Sequence, residues 1–172
     1  ISQSVPGRTL NITGDLDKLG SGELQFRESG TASILVTVDN DLNIDAGQIL
    51  IGGNDASDPS TLTVSGSATV DGTLSFASSA AQAGTINGVL TLNGTGRLNV
   101  VKQGVGGTSD VSEVHVGGLV STSSDAWVVN NSNSGTGHTG TLVIDHSTGT
   151  AAFAGKIEDG SNSGAANVLH VE

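Results

Sequence analysis

Ser60-Thr-Leu-Thr-Val-Ser-Gly-Ser-Ala-Thr-Val-Asp-Gly-Thr-Leu-Ser-Phe76 alternates apolar with small polar residues three times, with Ser-Gly and Asp-Gly between the runs. In an extended chain Leu62 and Val64 share one side, as do Leu74 and Phe76, while Thr and Ser take the other. The same phrase, a Gly or polar residue and then Leu-x-apolar, returns as Arg8-Thr-Leu-Asn-Ile12 and Gly22-Glu-Leu-Gln-Phe26. It returns again as Gly96-Arg-Leu-Asn-Val100 and Gly140-Thr-Leu-Val-Ile144. Each copy is a strand too short to bury its own apolar side, so copies must stack on one another to make a core. The pattern predicts an all-β chain, a parallel β-helix (β-solenoid) of short stacked strands, forming a single domain over 1–172. Such a scaffold works through its surface and its ends, not through a catalytic cleft, and no enzyme activity is expected of it.

Outward from this stretch, alternation predicts strands at 9–13, 23–27, 33–38, 41–45, 48–52, 61–65, 68–71, 73–77, 85–87 and 89–93. Further strands are predicted at 97–101, 113–117, 126–130, 141–145, 151–154 and 167–171. Turn-rich segments such as Gly52-Gly-Asn-Asp-Ala-Ser-Asp-Pro59 and Asn130-Asn-Ser-Asn-Ser-Gly-Thr-Gly137 separate them. The one helix-like run, Ala77-Ser-Ser-Ala-Ala-Gln-Ala83, is too short and Ser-rich to hold a helix alone, and reads as a loop turn. Leu62, Leu74 and Ile86 follow one another at intervals of 12 residues. Sandwich strands share that spacing, but these strands are uniformly short and lack large aromatic plugs. About 20–25 residues per turn, the common solenoid repeat, predicts seven or eight coils.

Composition agrees with a thin aliphatic core: three Phe, one Trp, no Tyr and no Met leave Leu, Ile, Val and Ala to fill it. Trp127 reads as a core or end-cap plug. Six basic residues against seventeen acidic ones give a formal net charge of -11. That balance argues against nucleic acid or an anionic membrane as partner, since both require clustered Lys and Arg. It also makes divalent cations plausible companions. Cys is absent, which removes disulfides and thiolate metal sites and suits an exported bacterial protein. No apolar run approaches the roughly 18 residues of a membrane span. The chain opens Ile1-Ser-Gln-Ser, without Met or an apolar leader, as a processed protein or an excised fragment does.

Leu16-Asp-Lys-Leu-Gly-Ser-Gly-Glu-Leu-Gln-Phe26 resembles the LTKTGSGTLTL phrase of autotransporter-associated β-strand repeats. Val114-His-Val-Gly-Gly-Leu119, followed by Val128-Val-Asn-Asn131, resembles that family's LTVGGLSG…VVNN. Phe153-Ala-Gly-Lys-Ile-Glu-Asp-Gly160 is similar to its FSGVIQDG, and Val168-Leu-His-Val171 sits where the next LSLTK falls. Gln48 to Val101 looks like the looser spacer coils of such proteins. The resemblance implies a bacterial surface β-helix, located extracellularly or on the cell surface, with no catalytic residues to carry over.

Among local features, Asp39-Asn-Asp-Leu-Asn-Ile-Asp45 is the sharpest. Asp39, Asp41, Asn43 and Asp45 fall at every second position and would share one side of a strand, so calcium, if it binds, is expected to bind through Asp39, Asp41 and Asp45. The spacing copies the first ligands of an EF-hand loop, then departs from it, with Ile44 where Gly is needed and Leu50 where the closing Glu is needed. The competing reading is a solvated acidic face. Asn54-Asp-Ala-Ser-Asp58, Glu158-Asp159, and Asp15 with Asp17 read as ordinary Asx turns. His115, His138, His146 and His170 lack metal-ligand spacing; His115 and His170 read as outward members of side-chain ladders.

The function expected is structural: subunits stack head to tail into a filament or sheath, a homopolymer whose only obligate partner is itself. The joint is expected to use Leu10 and Ile12 at one end and Val168, Leu169 and Val171 at the other, with Ile1-Ser-Gln-Ser-Val5 ready to add to an edge. The alternative is an adhesin passenger fragment binding glycans or surfaces through its lateral face. A β-helical lyase would need a positioned basic residue as proton abstractor, which six scattered Lys and Arg do not supply. An ice-binding face would need a regular Thr array, and Thr61-Leu-Thr63 and Thr148-Gly-Thr150 are too few and out of step.

Overall fold

The computed structural model describes residues 7–27, 33–52, 60–77, 82–102, 111–131, 139–145, 152–160 and 168–172. Among these described residues the fold is an all-β parallel solenoid without helix. In chain order its strands are β1 (Arg8–Ile12), β2 (Leu16–Lys18), β3 (Glu23–Phe26), β4 (Ile34–Val38), β5 (Leu42–Ile44) and β6 (Gln48–Ile51). Then come β7 (Thr61–Val64), β8 (Ala68–Val70), β9 (Thr73–Ala77), β10 (Ala83–Leu92) and β11 (Arg97–Lys102). The last are β12 (Val111–Val120), β13 (Trp127–Asn131), β14 (Thr139–Ile144), β15 (Lys156–Asp159) and β16 (Val168–Val171).

They stack into three ladders, because a parallel neighbour is reached only after a full crossover, here the rest of the turn. The first ladder runs β1-β4-β7-β10-β12-β14-β16 and the third runs β3-β6-β9-β11-β13-β15. The second is β2-β5-β8 continued by the far halves of β10 and β12, where Leu90 pairs with Ala68 and with Leu119. One turn separates Arg8 from Ile34 (26 residues), Thr61 from Ala83 (22) and Ala83 from Glu113 (30). Turns this long leave room for fewer than the seven or eight coils predicted. The 12-residue interval is about half a turn: it carries the chain from Leu62 in the first ladder to Leu74 in the third.

Pairing in register turns the sequence alternation into columns. Leu10, Val36, Leu62, Gly84, Val114, Leu142 and Val171 form one inward column. Ile12, Val38, Val64, Ile86, Val116 and Ile144 form the next. Leu24, Ile49, Leu74, Leu98, Val128 and Ile157 face them from the third ladder. Most of these side chains away from the ends are fully buried, each contributing about 1.5–3 kcal/mol of apolar burial. Gly84 interrupts its column for a packing reason. A Cβ there would overlap Phe76 Cζ and lie 2.8 Å from Phe76 Cε1, so the largest buried ring takes the space the missing side chain leaves.

Several strand boundaries differ from the sequence reading. The stretches 85–87 and 89–93 are one strand, β10, that bends through Asn87-Gly88 and serves two ladders. β2 and β15 were not anticipated, being short and charged (Leu-Asp-Lys and Lys-Ile-Glu-Asp). Among the described residues of 151–154 only Phe153 pairs, in an isolated bridge to Ser121. Most of the turn-like run 77–83 lies outside the described residues, as do most of 52–59 and 130–137.

Candidate functional site

The expected calcium strand is a corner. β4 stops at Val38, the chain bends at Asp39-Asn40, and β5 starts at Leu42. Asp39, Asp41 and Asp45 therefore do not line one strand face. Among the described residues no three His, Cys, Asp or Glu side chains gather as a metal group. Asp41 does something else: its Oδ1 accepts the Ser67 N–H at 2.7 Å, while its own N–H donates to Asp15 Oδ1 at 3.2 Å. One turn further on, Ser67 Oγ accepts the Val89 N–H at 3.2 Å. Residues 15, 41 and 67 thus form a column in which each side chain satisfies a backbone donor of the turn above. Such donors gain when bonded, and Asx side chains suit this role. Gly66 completes the corner, since a Cβ there would overlap Asp41 Oδ1 and meet Asn40 O at 2.8 Å. Asp41→Ala should cost about 1 kcal/mol of stability by orphaning the Ser67 amide. Asp39→Ala and Asp45→Ala, on exposed side chains, should stay within about 0.5 kcal/mol. Urea titrations of the three variants check this.

On the outer side of the first ladder, His115 and His170 occupy different columns, His115 after Thr37, Thr63 and Thr85, and His170 after Glu113 and Thr141. His115 Nε2 lies 2.5 Å from Glu113 Oε1, and its Nδ1 lies 3.9 Å from Asp145 Oδ2. A shallow cleft lined by Thr85, Asn87, His115 and Asp145 opens there. His138 and His146 lie outside the described residues.

Trp127 is not a core plug. By the alternation of β13 it points to the outer side of the third ladder, and the Arg97 guanidinium lies 4.1 Å from its ring centroid. Burial there lowers the Arg97 pKa from its ordinary value, a cost that the cation–π contact offsets in part. With Arg97 on its ring, Trp127 offers that face to no sugar. Nearby, Asn99 Nδ2 donates to Ser75 Oγ at 2.8 Å, both residues buried on this outer side.

The ends differ from the middle. At one end the first turn places Arg8, Leu10, Ile12, Leu16, Lys18, Leu24 and Phe26 at inward column positions, and Leu10 is 38% exposed. Lys18 Nζ donates to the carbonyls of Gly20 and of Ala46, the latter at 3.2 Å. At the other end, Ile157 and Val171 are 41% and 47% exposed. The core there turns polar: Asn130 Nδ2 donates to Val168 O at 3.0 Å, and Asp159 Oδ1 accepts the Leu169 N–H. These two bonds pin β16 to the third ladder. Because the first ladder has seven described strands and the third six, a recess one rung deep lies beside β16, lined by Ile157, Glu158, Asp159, Leu169 and Val171.

Of the expected joint residues, Leu10 and Val171 belong to one column at opposite ends, with Leu169 two residues before Val171 on the same side. Ile12's column ends at Ile144, one strand short of β16. Val168 takes the outer side, and its carbonyl accepts from Asn130 Nδ2. Ile1-Ser-Gln-Ser-Val5 lies outside the described residues. Sequence reasoning missed the inward charges Arg8, which pairs with the apolar Ile34, and Asp159, which pairs with the buried Asn130. No known family model matches the chain, nor does any curated protein or solved structure.

Proposed function

We propose that the chain is a structural β-solenoid that joins end to end into a filament or sheath on a bacterial surface. One observation carries this reading. All three ladders are parallel strands stacked turn on turn in register, with apolar columns running through them, an arrangement that a further strand can extend along the axis. Unpaired strand edges are templates for further strands, and a contact between unlike ends does not close on itself, so it propagates. The resemblance to autotransporter-associated repeats, which are exported surface proteins, supports the location. Negative-stain microscopy of the purified chain should show filaments with an axial repeat of about 34 Å, seven strand spacings of about 4.8 Å. Monomers only, at every concentration examined, would reject it.

A second reading, glycan binding on the lateral face, is favoured by the polar cleft at Thr85, Asn87, His115 and Asp145. Hydroxyl-rich ligands are held by such convergent polar groups.

A further inference from the structure

The cleft at His115 continues a column of threonines. On the outer side of the first ladder, parallel register sets Thr37 on Thr63, Thr63 on Thr85 and Thr85 on His115. Each of the three threonines stands between two buried inward residues of its strand, so its hydroxyl and methyl point outward, half-buried. The outward column beside it holds Leu35, Thr61 and Ala83, of which Leu35 and Ala83 are exposed. We propose that this strip and the cleft together bind a neutral, unbranched glycan chain laid along the solenoid axis, about one sugar to each turn. The inference deepens the glycan reading of the lateral face and rests on it.

Spacing is the first argument. Stacked strands repeat about every 4.8 Å, roughly the length of one sugar in an extended β-1,4-linked chain. Thr37 to His115 is three such steps, about 14 Å. Chemistry is the second. A sugar carries hydroxyls around its edge and C–H groups on its faces. Threonine hydroxyls and the Asn87 amide both donate and accept, as sugar hydroxyls do, while Leu35 and Ala83 offer apolar surface beside them. In the cleft the exposed Asp145 adds a carboxylate acceptor. His115 Nδ1 lies 3.9 Å from it, too far for a hydrogen bond, because the ring is held on its other side by Glu113. A few convergent polar groups on a mixed surface are what fix a ligand's orientation. Charge is the third. The six outward positions over β4, β7 and β10 carry no ionisable side chain, although the formal net charge is -11. A polyanionic glycan would gain nothing along the threonines and would meet Glu113 and Asp145 at the cleft. The second ladder is less suited, since its outward Asn43 Nδ2 already donates to Asp17 Oδ1 at 2.8 Å.

Chain length is the variable that tests it. Calorimetry with β-1,4-linked oligomers of glucose, mannose and N-acetylglucosamine, from disaccharide to hexasaccharide, should find at least one series that binds. Within that series Kd should fall at least tenfold from disaccharide to tetrasaccharide and then level off, because four outward positions, Thr37 to His115, are filled. Thr63→Val removes one hydroxyl while keeping a β-branched side chain suited to a strand. It should weaken the tetrasaccharide at least fivefold and leave the disaccharide, seated in the cleft, unchanged. Asp145→Asn should weaken every length at least fivefold. Affinity that does not grow with length, or that ignores Thr63→Val, would overturn the strip and leave glycan binding at the cleft standing. Tighter binding of oligogalacturonates than of every neutral series would overturn the neutral ligand class. Failure of all the series to bind would overturn the strip and the glycan reading together.

Discussion

Replacing Phe76 by Ala should lower the free energy of unfolding by about 3–5 kcal/mol, the usual cost of emptying a buried aromatic site. Phe76 is fully buried, and its ring fills the gap in the first-ladder column where Gly84 carries no side chain. Gly84→Val alone should cost about 1–3 kcal/mol, because its methyl groups must displace that ring from a packed core. The informative variant carries both changes. Val at position 84 restores the aliphatic column of Leu62 and Val114 and occupies part of the volume the ring gave up, so the double variant should be more stable than the two costs summed predict. A coupling of at least about 1 kcal/mol is expected for side chains in direct contact. Urea denaturation of the four proteins measures it. Strict additivity would show that the ring and the glycine do not share one space.

Leu169→Pro should abolish filaments while leaving the interior turns folded. Proline removes the amide that Asp159 accepts, and its fixed φ and bulky ring disturb β16 at the middle of the outermost strand of the first ladder. The buried columns between β4 and β14 do not depend on that amide, so the β-type circular dichroism spectrum should be retained. Melting should move little, because a terminal strand contributes only its own interface in a stack of neighbours. Filaments of normal length from this variant would show that β16 is not the joint, and would move lateral glycan binding ahead as the function.

The ladders were legible because Leu-x-apolar phrases mark inward positions wherever the strand is long enough to show them, as at Thr61–Val64 and Thr73–Ala77. The corner at Asp39–Asp41 was not legible by alternation alone, for a simple reason. Val38 and Leu42 both point inward across three corner residues. Their spacing of four is even, so alternation by twos runs through the bend without a fault. The sign of a corner was Asn40, polar where the alternation calls for an apolar residue. The same spacing joins Ile12 to Leu16, Val64 to Ala68 and Ile86 to Leu90. At Val116 to Leu119 the corner is one residue shorter, through Gly117-Gly118, which accounts for the register shift between β10 and β12. Trp127 was misplaced because size suggested a core position, whereas the parity of Val128 sends its neighbour outward. The ends were only half legible: the apolar members Leu10, Leu169 and Val171 stood out, but charges at inward positions become visible only once the columns are aligned.

The corner column of Asp15, Asp41 and Ser67 has a consequence for how such a molecule changes in size. Each of these residues reads only the amide of the turn above, and that amide belongs to the equivalent residue. Because Leu35 pairs with Thr61, excising 35–60 would join Ile34 to Thr61 and leave Asp15 facing Ser67 as it once faced Asp41. Length in this architecture is therefore quantised: a gene can gain or lose whole turns, altering the span of the stack by one strand spacing at a time, while the turns on either side keep their columns in register.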